Sequence, residues 1–218
     1  MNTSNIAAIV CGCMSCSASV SHAATNIIDA TYGAGAGSFE LGDFVRNGSP
    51  GHHMHLDTNS TTIIGWTVGG TPGIGIDWVQ MPDNAPSNGT YSIDLSGVST
   101  SFAIGSVSTT IPTVAGVEYL ISFDSYGGVE TLPGTLTAGN LSQTFNAPGN
   151  PDPSIANFQN FQYSFTALDS ATTITFSATS LSYGFGPVID NVIVTVPEPS
   201  SLLFGSLTIV GLSFKRKR

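Results

Sequence analysis

The chain has 218 residues, of which 14 are Asp or Glu and five are Lys or Arg, a formal charge of −9. Four of the five cations occupy the last four positions, so residues 24–196 carry 13 acids and Arg46 alone, a formal −12 that repels phosphate backbones and excludes nucleic-acid binding. All three cysteines (Cys11, Cys13, Cys16) precede residue 24, which leaves the 173-residue body without disulfides, a thiolate nucleophile or a zinc ribbon, yet long enough to bury one core.

At the N-terminus, Ile6 to Val20 is apolar and small, and Ser21-His22-Ala23 before Ala24 fits a small-x-small cleavage site. Residues 1–23 are therefore expected to be a secretory signal peptide, although Met1 to Asn5 supplies no basic n-region. Val10-Cys11-Gly12-Cys13 faintly resembles a lipoprotein box behind a very short apolar stretch; an ordinary signal whose cysteines are removed is the simpler expectation.

The body, residues 24–196, reads as strands. Thr, Ser, Val, Ile, Phe and Tyr dominate the segments between Gly, Pro and Asn punctuation, the composition of an antiparallel sandwich or barrel. No window shows a sustained helical period, and Ala30 to Gly37 reads as a small-residue lead-in. Alternation and turn residues predict strands near 38–45, 62–68, 75–80, 90–95, 101–110, 117–124, 132–137, 140–146, 160–167, 172–178 and 188–196. Residues 46–59 and 147–156 are rich in turn formers and are expected to be loops.

The tail has a different chemistry. Pro197-Glu198-Pro199 is followed by an apolar run from Leu202 to Phe214 and then Lys215-Arg216-Lys217-Arg218. A helix over residues 200–214 would span roughly 22 Å, short of the ~30 Å hydrocarbon core, so a permanent anchor is not expected. The cations would hold that end on the cytoplasmic side. The pattern over 197–218 closely resembles the PEP-CTERM sorting signal, which implies processing near Pro197–Pro199 by a membrane protease-transpeptidase.

Within the body, Gly37-Ser38-Phe39-Glu40, Gly65-Trp66-Thr67-Val68, Ile76-Asp77-Trp78-Val79, Ser92-Ile93-Asp94-Leu95-Ser96-Gly97, Gly116-Val117-Glu118-Tyr119, Phe165-Thr166-Ala167 and Tyr183-Gly184-Phe185-Gly186-Pro187-Val188-Ile189-Asp190-Asn191-Val192 occur in order. The set resembles the choice-of-anchor C family of bacterial surface proteins. That resemblance implies an all-β chain: a single antiparallel jelly-roll β-sandwich of the galactose-binding-like type, followed by a C-terminal sorting helix. It also implies that Glu40 and Asp190 lie close together and help hold a structural calcium, with Asp94 as a further ligand. The alternative is that these acids are solvated or hydrogen-bonded at strand ends.

Other residues invite binding roles. His52, His53 and His55, with Asp57 nearby, could make a transition-metal site if the segment were extended, since His53, His55 and Asp57 would share a face; a solvated loop is the alternative. Trp66 is expected in the core. Tyr126 and Tyr183 are expected in loops, exposed, and with Trp78 are the candidates for stacking on sugar rings. There is no Gly-x-Ser-x-Gly elbow, and only the loop histidines could serve as a base, so a non-catalytic protein is expected. The function expected is an exported surface or matrix protein that binds extracellular polysaccharide. A structural or adhesion protein without glycan binding is the alternative, and a glycan hydrolase or lyase the third reading.

Overall fold

Period-two alternation becomes antiparallel pairing along most of the body. The computed structural model describes residues 24–47, 51–97, 104–128, 130–149, 157–180 and 185–197. The expected signal, Tyr183, and residues 198–218 with Glu198, Pro199 and the sorting helix lie outside the described residues. The elements are α1 (Ile27–Tyr32), β1 (His53–Leu56), β2 (Thr67–Gly70), β3 (Ile76–Gln80), β4 (Tyr91–Asp94), β5 (Gly105–Pro112), β6 (Glu118–Gly127), β7 (Leu132–Ala138), β8 (Leu141–Ala147), β9 (Gln159–Thr166), β10 (Ala171–Ala178) and β11 (Pro187–Thr195). They form an antiparallel jelly-roll sandwich: a six-stranded sheet in the order β1-β3-β4-β11-β6-β9 and a five-stranded sheet in the order β2-β5-β10-β7-β8.

Nine of the expected strands are present within a few residues, the one expected at 62–68 is displaced to 67–70, and one is absent. Residues 38–45 make no strand beyond an isolated bridge from Gly42 to Ile63. Phe39 and Gly42 both take positive φ (59° and 139°), which breaks extension. The eleventh strand lies where a loop is expected: His53 to Leu56 pairs with β3 as the edge of the larger sheet. Here the turn formers end at Gly51, and the alternation that follows suffices for a short edge strand. The lead-in contains a short helix, α1, capped by the Asn26 side chain, which accepts from Ile28 N–H. Six residues are too few to show a helical period.

The core lies between the sheets. Phe123 of β6 meets Phe145 of β8 at 5.0 Å and Phe176 of β10 at 4.8 Å, both edge-on. Two buried tryptophans close one side: Trp66 Nε1 donates to Ala36 O (2.8 Å), and Trp78 Nε1 donates to Phe39 O (3.1 Å). The carbonyls of the irregular 36–39 turn thus satisfy the only polar atoms of both indoles.

A bulge in β11 sets what faces where. Asp190 pairs with Asp124 but Ile193 pairs with Ser122, so one extra residue is accommodated, with Asn191 at φ 52°. Before the bulge Ile189 points into the core; after it, Val192 and Val194 do. Val188 and Asp190 are left on the outer face of the six-stranded sheet, yet both are buried.

Candidate functional site

Residues 81–90, between β3 and β4, roof that outer face. Asp83 reaches β1: His52 N–H donates to it, and its carboxylate oxygens lie 3.3 Å from the Nδ1 atoms of His52 and His53. Asn84 accepts from the Tyr126 hydroxyl of β6. Asp190 Oδ2 accepts from Ser87 N (2.7 Å), Ser87 Oγ (3.1 Å) and Asn88 N (2.9 Å). Glu40 Oε1 accepts from Thr90 N (2.8 Å) and Tyr91 N (2.9 Å).

Under the roof, strand register lines up a polar row. His55 faces Asp77, Asp77 faces Asp94, Asp94 faces Val188 and Val188 faces Tyr126. The His55 Nδ1 to Asp77 Oδ1 distance is 2.8 Å, and this hydrogen bond holds the imidazole pKa above its ordinary value despite partial burial. Asp94 Oδ1 accepts from Ser96 N and Gly186 N, both at 2.9 Å. Burial, with the Asp77 charge beside it, outweighs those donors and pushes the Asp94 carboxyl up to about 8. Burial likewise raises Asp190 to about 7 against its N–H and O–H donors, and raises the Tyr126 hydroxyl. At Asp83 burial acts upward, but the donors from His52 and His53 win and the pKa is lowered.

This geometry corrects two expectations. Tyr126 is no loop residue: it lies in β6, 1% exposed, its ring edge-on to Phe158 at 4.7 Å. Trp78 is 0% exposed. Neither ring offers a face to a sugar, because the roof covers one and the sandwich interior holds the other. Trp66 is in the core as expected. The histidines are not a solvated loop, since His53 is buried on β1 beside Asp83; its face-sharing with His55 follows from the strand. Among the described residues no group of three or more His, Cys, Asp or Glu is gathered as a metal site requires. Glu40 and Asp190 do converge on one stretch, residues 87–91, whereas Asp94 is bound to Ser96 and Gly186 instead. There backbone N–H groups already satisfy both carboxylates, those of Ser87 and Asn88 on Asp190 and those of Thr90 and Tyr91 on Glu40. Pro197 ends the described chain after β11.

A cleft of about 220 Å³ opens elsewhere, where α1 meets the β2–β5 edge. Tyr32 forms one wall: its ring lies so close to Gly65 (φ 87°) that a Cβ there would sit 2.7 Å from Tyr32 Cγ, and its hydroxyl donates to Thr110 O at 2.5 Å. Trp66 is also part of the lining. The rest of the lining is Gly65, Thr61, Thr67, Ser108, Thr109 and Thr110, and no lining residue is charged. The expected binding residues omit all of these. A signal for one of them exists in the sequence: Val107, Thr109 and Ile111 share the inward phase of β5, so Thr109 puts a hydroxyl in an apolar column. Its Oγ1 is buried and has no hydrogen-bond partner.

No protein-family model and no curated protein sequence matches the chain. Solved structures do. A family 61 carbohydrate-binding module in complex with β-1,4-galactotriose superposes with a TM-score of 0.51 at 18% identity, covering 76% of this chain and 98% of that one. A family 35 carbohydrate-binding module from Clostridium thermocellum gives 0.45 at 10% identity, covering 66% and 99%. The chain has the β-sandwich fold of the family 61 module.

Proposed function

We propose that this is an exported cell-surface or matrix protein whose non-catalytic sandwich binds extracellular polysaccharide. One observation carries the reading: on a fold shared with a module solved with β-1,4-galactotriose, an open cleft is walled by a tyrosine ring and lined by neutral hydroxyls. Sugars are bound by such combinations of an apolar ring and convergent hydrogen-bonding groups. The carboxylates and histidines under the roof are engaged with one another and with backbone N–H groups, which leaves them to hold structure.

Export is supported by the signal-like residues 1–23 and by the tail, which resembles a PEP-CTERM sorting signal. A membrane protease-transpeptidase would remove the apolar run and basic cluster, leaving a choice-of-anchor C-like surface domain. Glu40 and Asp190 would hold a structural calcium at residues 87–91, adding stability by mass action.

Affinity electrophoresis of the full chain through a polysaccharide panel that includes β-1,4-galactan tests the function. Retardation by at least one polysaccharide is expected; none at all would leave a structural or adhesion role in its place. Intact mass of protein recovered outside the cell should lack residues 202–218, and a retained Lys-Arg tail would remove the sorting reading. Chelator should lower the melting temperature of the wild type but not of Asp190→Ala; an identical wild-type melt with and without chelator would remove calcium.

A further inference from the structure

We infer that β9, the outer strand of the six-stranded sheet, pairs edge to edge with the β9 of a second copy of this chain, joining two sandwiches through one continuous sheet. This assembly is independent of the polysaccharide-binding reading. The sandwich treats its sheet edges unequally. An unpaired edge is a template for another strand, and folds commonly blunt theirs. On one side both edges are blunted. β1 and β2 have four residues each. Asn47 closes β1: its backbone N–H and side-chain amide donate to His53 O (3.4 Å) and His55 O (3.0 Å), and its Oδ1 accepts from His55 N (2.6 Å). Residues 59 and 60 close β2, with Asn59 N donating to Val68 O and Val68 N to Ser60 O.

On the other side β9 is left open. It has eight residues, all paired with β6, and contains neither a charged residue nor a proline. Ala167 N donates to Val117 O and Ala167 O accepts from Gly116 N, both toward the β6 side, so by alternation Asn160, Gln162, Ser164 and Thr166 turn their N–H and C=O groups outward. Asn140 takes both groups of Thr166. Those of Asn160, Gln162 and Ser164 meet no partner among the described residues.

Charge and register select a second copy as the occupant. Two bodies of formal charge −12 repel over most of their surface, yet between Glu130 and Asp169 the sequence has one charged residue, Asp152. The acids one strand in are Glu118 and Asp124 of β6, and Asp124 accepts from the Asn160 and Asn191 side chains. Across a β9–β9 junction the two β6 strands stand three strand spacings apart, about 14 Å, beyond the ~8 Å screening length of physiological salt. Antiparallel pairing about a two-fold axis at Gln162 sets Asn160 against the second copy's Ser164, so that all three open residues exchange backbone hydrogen bonds. It also sets Phe161 against the second copy's Tyr163, an aromatic cross-strand pair made twice. Both rings are only partly buried at this edge, whereas Phe165, near the end that Asn140 closes, is 1% exposed.

The test is sedimentation of the full chain over a range of concentrations, read together with hydrogen exchange. A reversible dimer is expected, with the amides of Asn160, Gln162 and Ser164 slowing as its fraction rises. Gln162→Pro removes one outward donor from each copy without touching the β6 ladder, and should weaken dimerisation about a hundredfold, or about tenfold for each hydrogen bond lost. Gln162→Glu keeps the backbone donor and brings like charges face to face, so it should weaken the dimer too. Thr173→Glu, on the exposed face of β10, should not. A chain that stays monomeric, or a dimer that both Gln162 variants leave intact, overturns the pairing. Slow exchange at residues 160–164 in the monomer overturns it as well, since a segment of the same chain would then cover the edge.

Discussion

The roofed face of the six-stranded sheet and the cleft beside α1 are opposites in chemistry and in access. The first carries His55, Asp94 and Asp190, whose proton affinities are raised, beside Asp77, and buries all three acids. The second has no charge and stays open. Perturbed carboxylates commonly mark functional sites, but structural networks perturb them too. Here each shifted group has a partner in the fold: Asp190 and Asp83 fasten the roof, His55 joins β1 to β3, and Asp94 holds the Ser96 and Gly186 backbone. In this chain the dense polar chemistry secures a loop, and the open cleft is lined without charge.

The contrast can be broken by mutation. Trp78→Ala should cost about 3–5 kcal/mol by lost burial and a cavity, measured by denaturant unfolding; near-wild-type stability would put the indole back at the surface. Asp190→Ala strips the acceptor from Ser87 and Asn88 and should cost about 2–3 kcal/mol, with faster hydrogen exchange confined to residues 81–90. Exchange unchanged in that segment would mean the roof is held by other contacts.

Proton linkage gives a subtler handle. Asp94 and Asp190 are raised from 3.8 to about 8 and about 7, so between pH ~4 and ~8 the folded state binds more protons than the unfolded chain. Their stabilisation is complete below the unfolded value and is lost as pH climbs through 7 to 8. His55, also raised, acts in the same sense, with its contribution present below 6.5 and lost as pH rises. Asp83, lowered, contributes above its unfolded pKa and loses that only in acid. The melting temperature should therefore drop several degrees from pH 6 to 9, about 1–2 kcal/mol at ~2–4 °C per kcal/mol. Asp94→Asn should flatten the slope, and a melting temperature that rises over this range would contradict burial of the acids. Smallest of all, Tyr126→Phe removes one hydroxyl contact with Asn84 and should cost about 1 kcal/mol. It should leave polysaccharide retention untouched, and loss of retention would move the ligand under the roof.

Much of the sandwich was legible because its strands are local statements. Phe161 to Thr166, Thr173 to Ser177 and Tyr119 to Asp124 alternate, and each pairs where alternation places it. The site was less legible. Tyr126 follows Asp124-Ser125 and precedes two glycines, a turn-like context, but β6 runs through it because β11 supplies a partner at Val188. Asp77 and Asp94 are 17 residues apart, and only the β3–β4 register makes them neighbours. The cleft was hidden for the same reason, since Tyr32, Gly65 and Thr110 come from three distant segments.

By itself the sequence determined an all-β body of antiparallel strands, free of cysteine and acidic, and two terminal segments of signal-like composition, because periodicity, turn chemistry and charge are properties of short windows. Tertiary structure alone decided that Trp78 and Tyr126 are buried, that Glu40 and Asp190 meet on residues 87–91, and that an uncharged cleft remains at the β2–β5 edge. Burial and convergence depend on which distant segment packs over a face, and no window of sequence contains that segment.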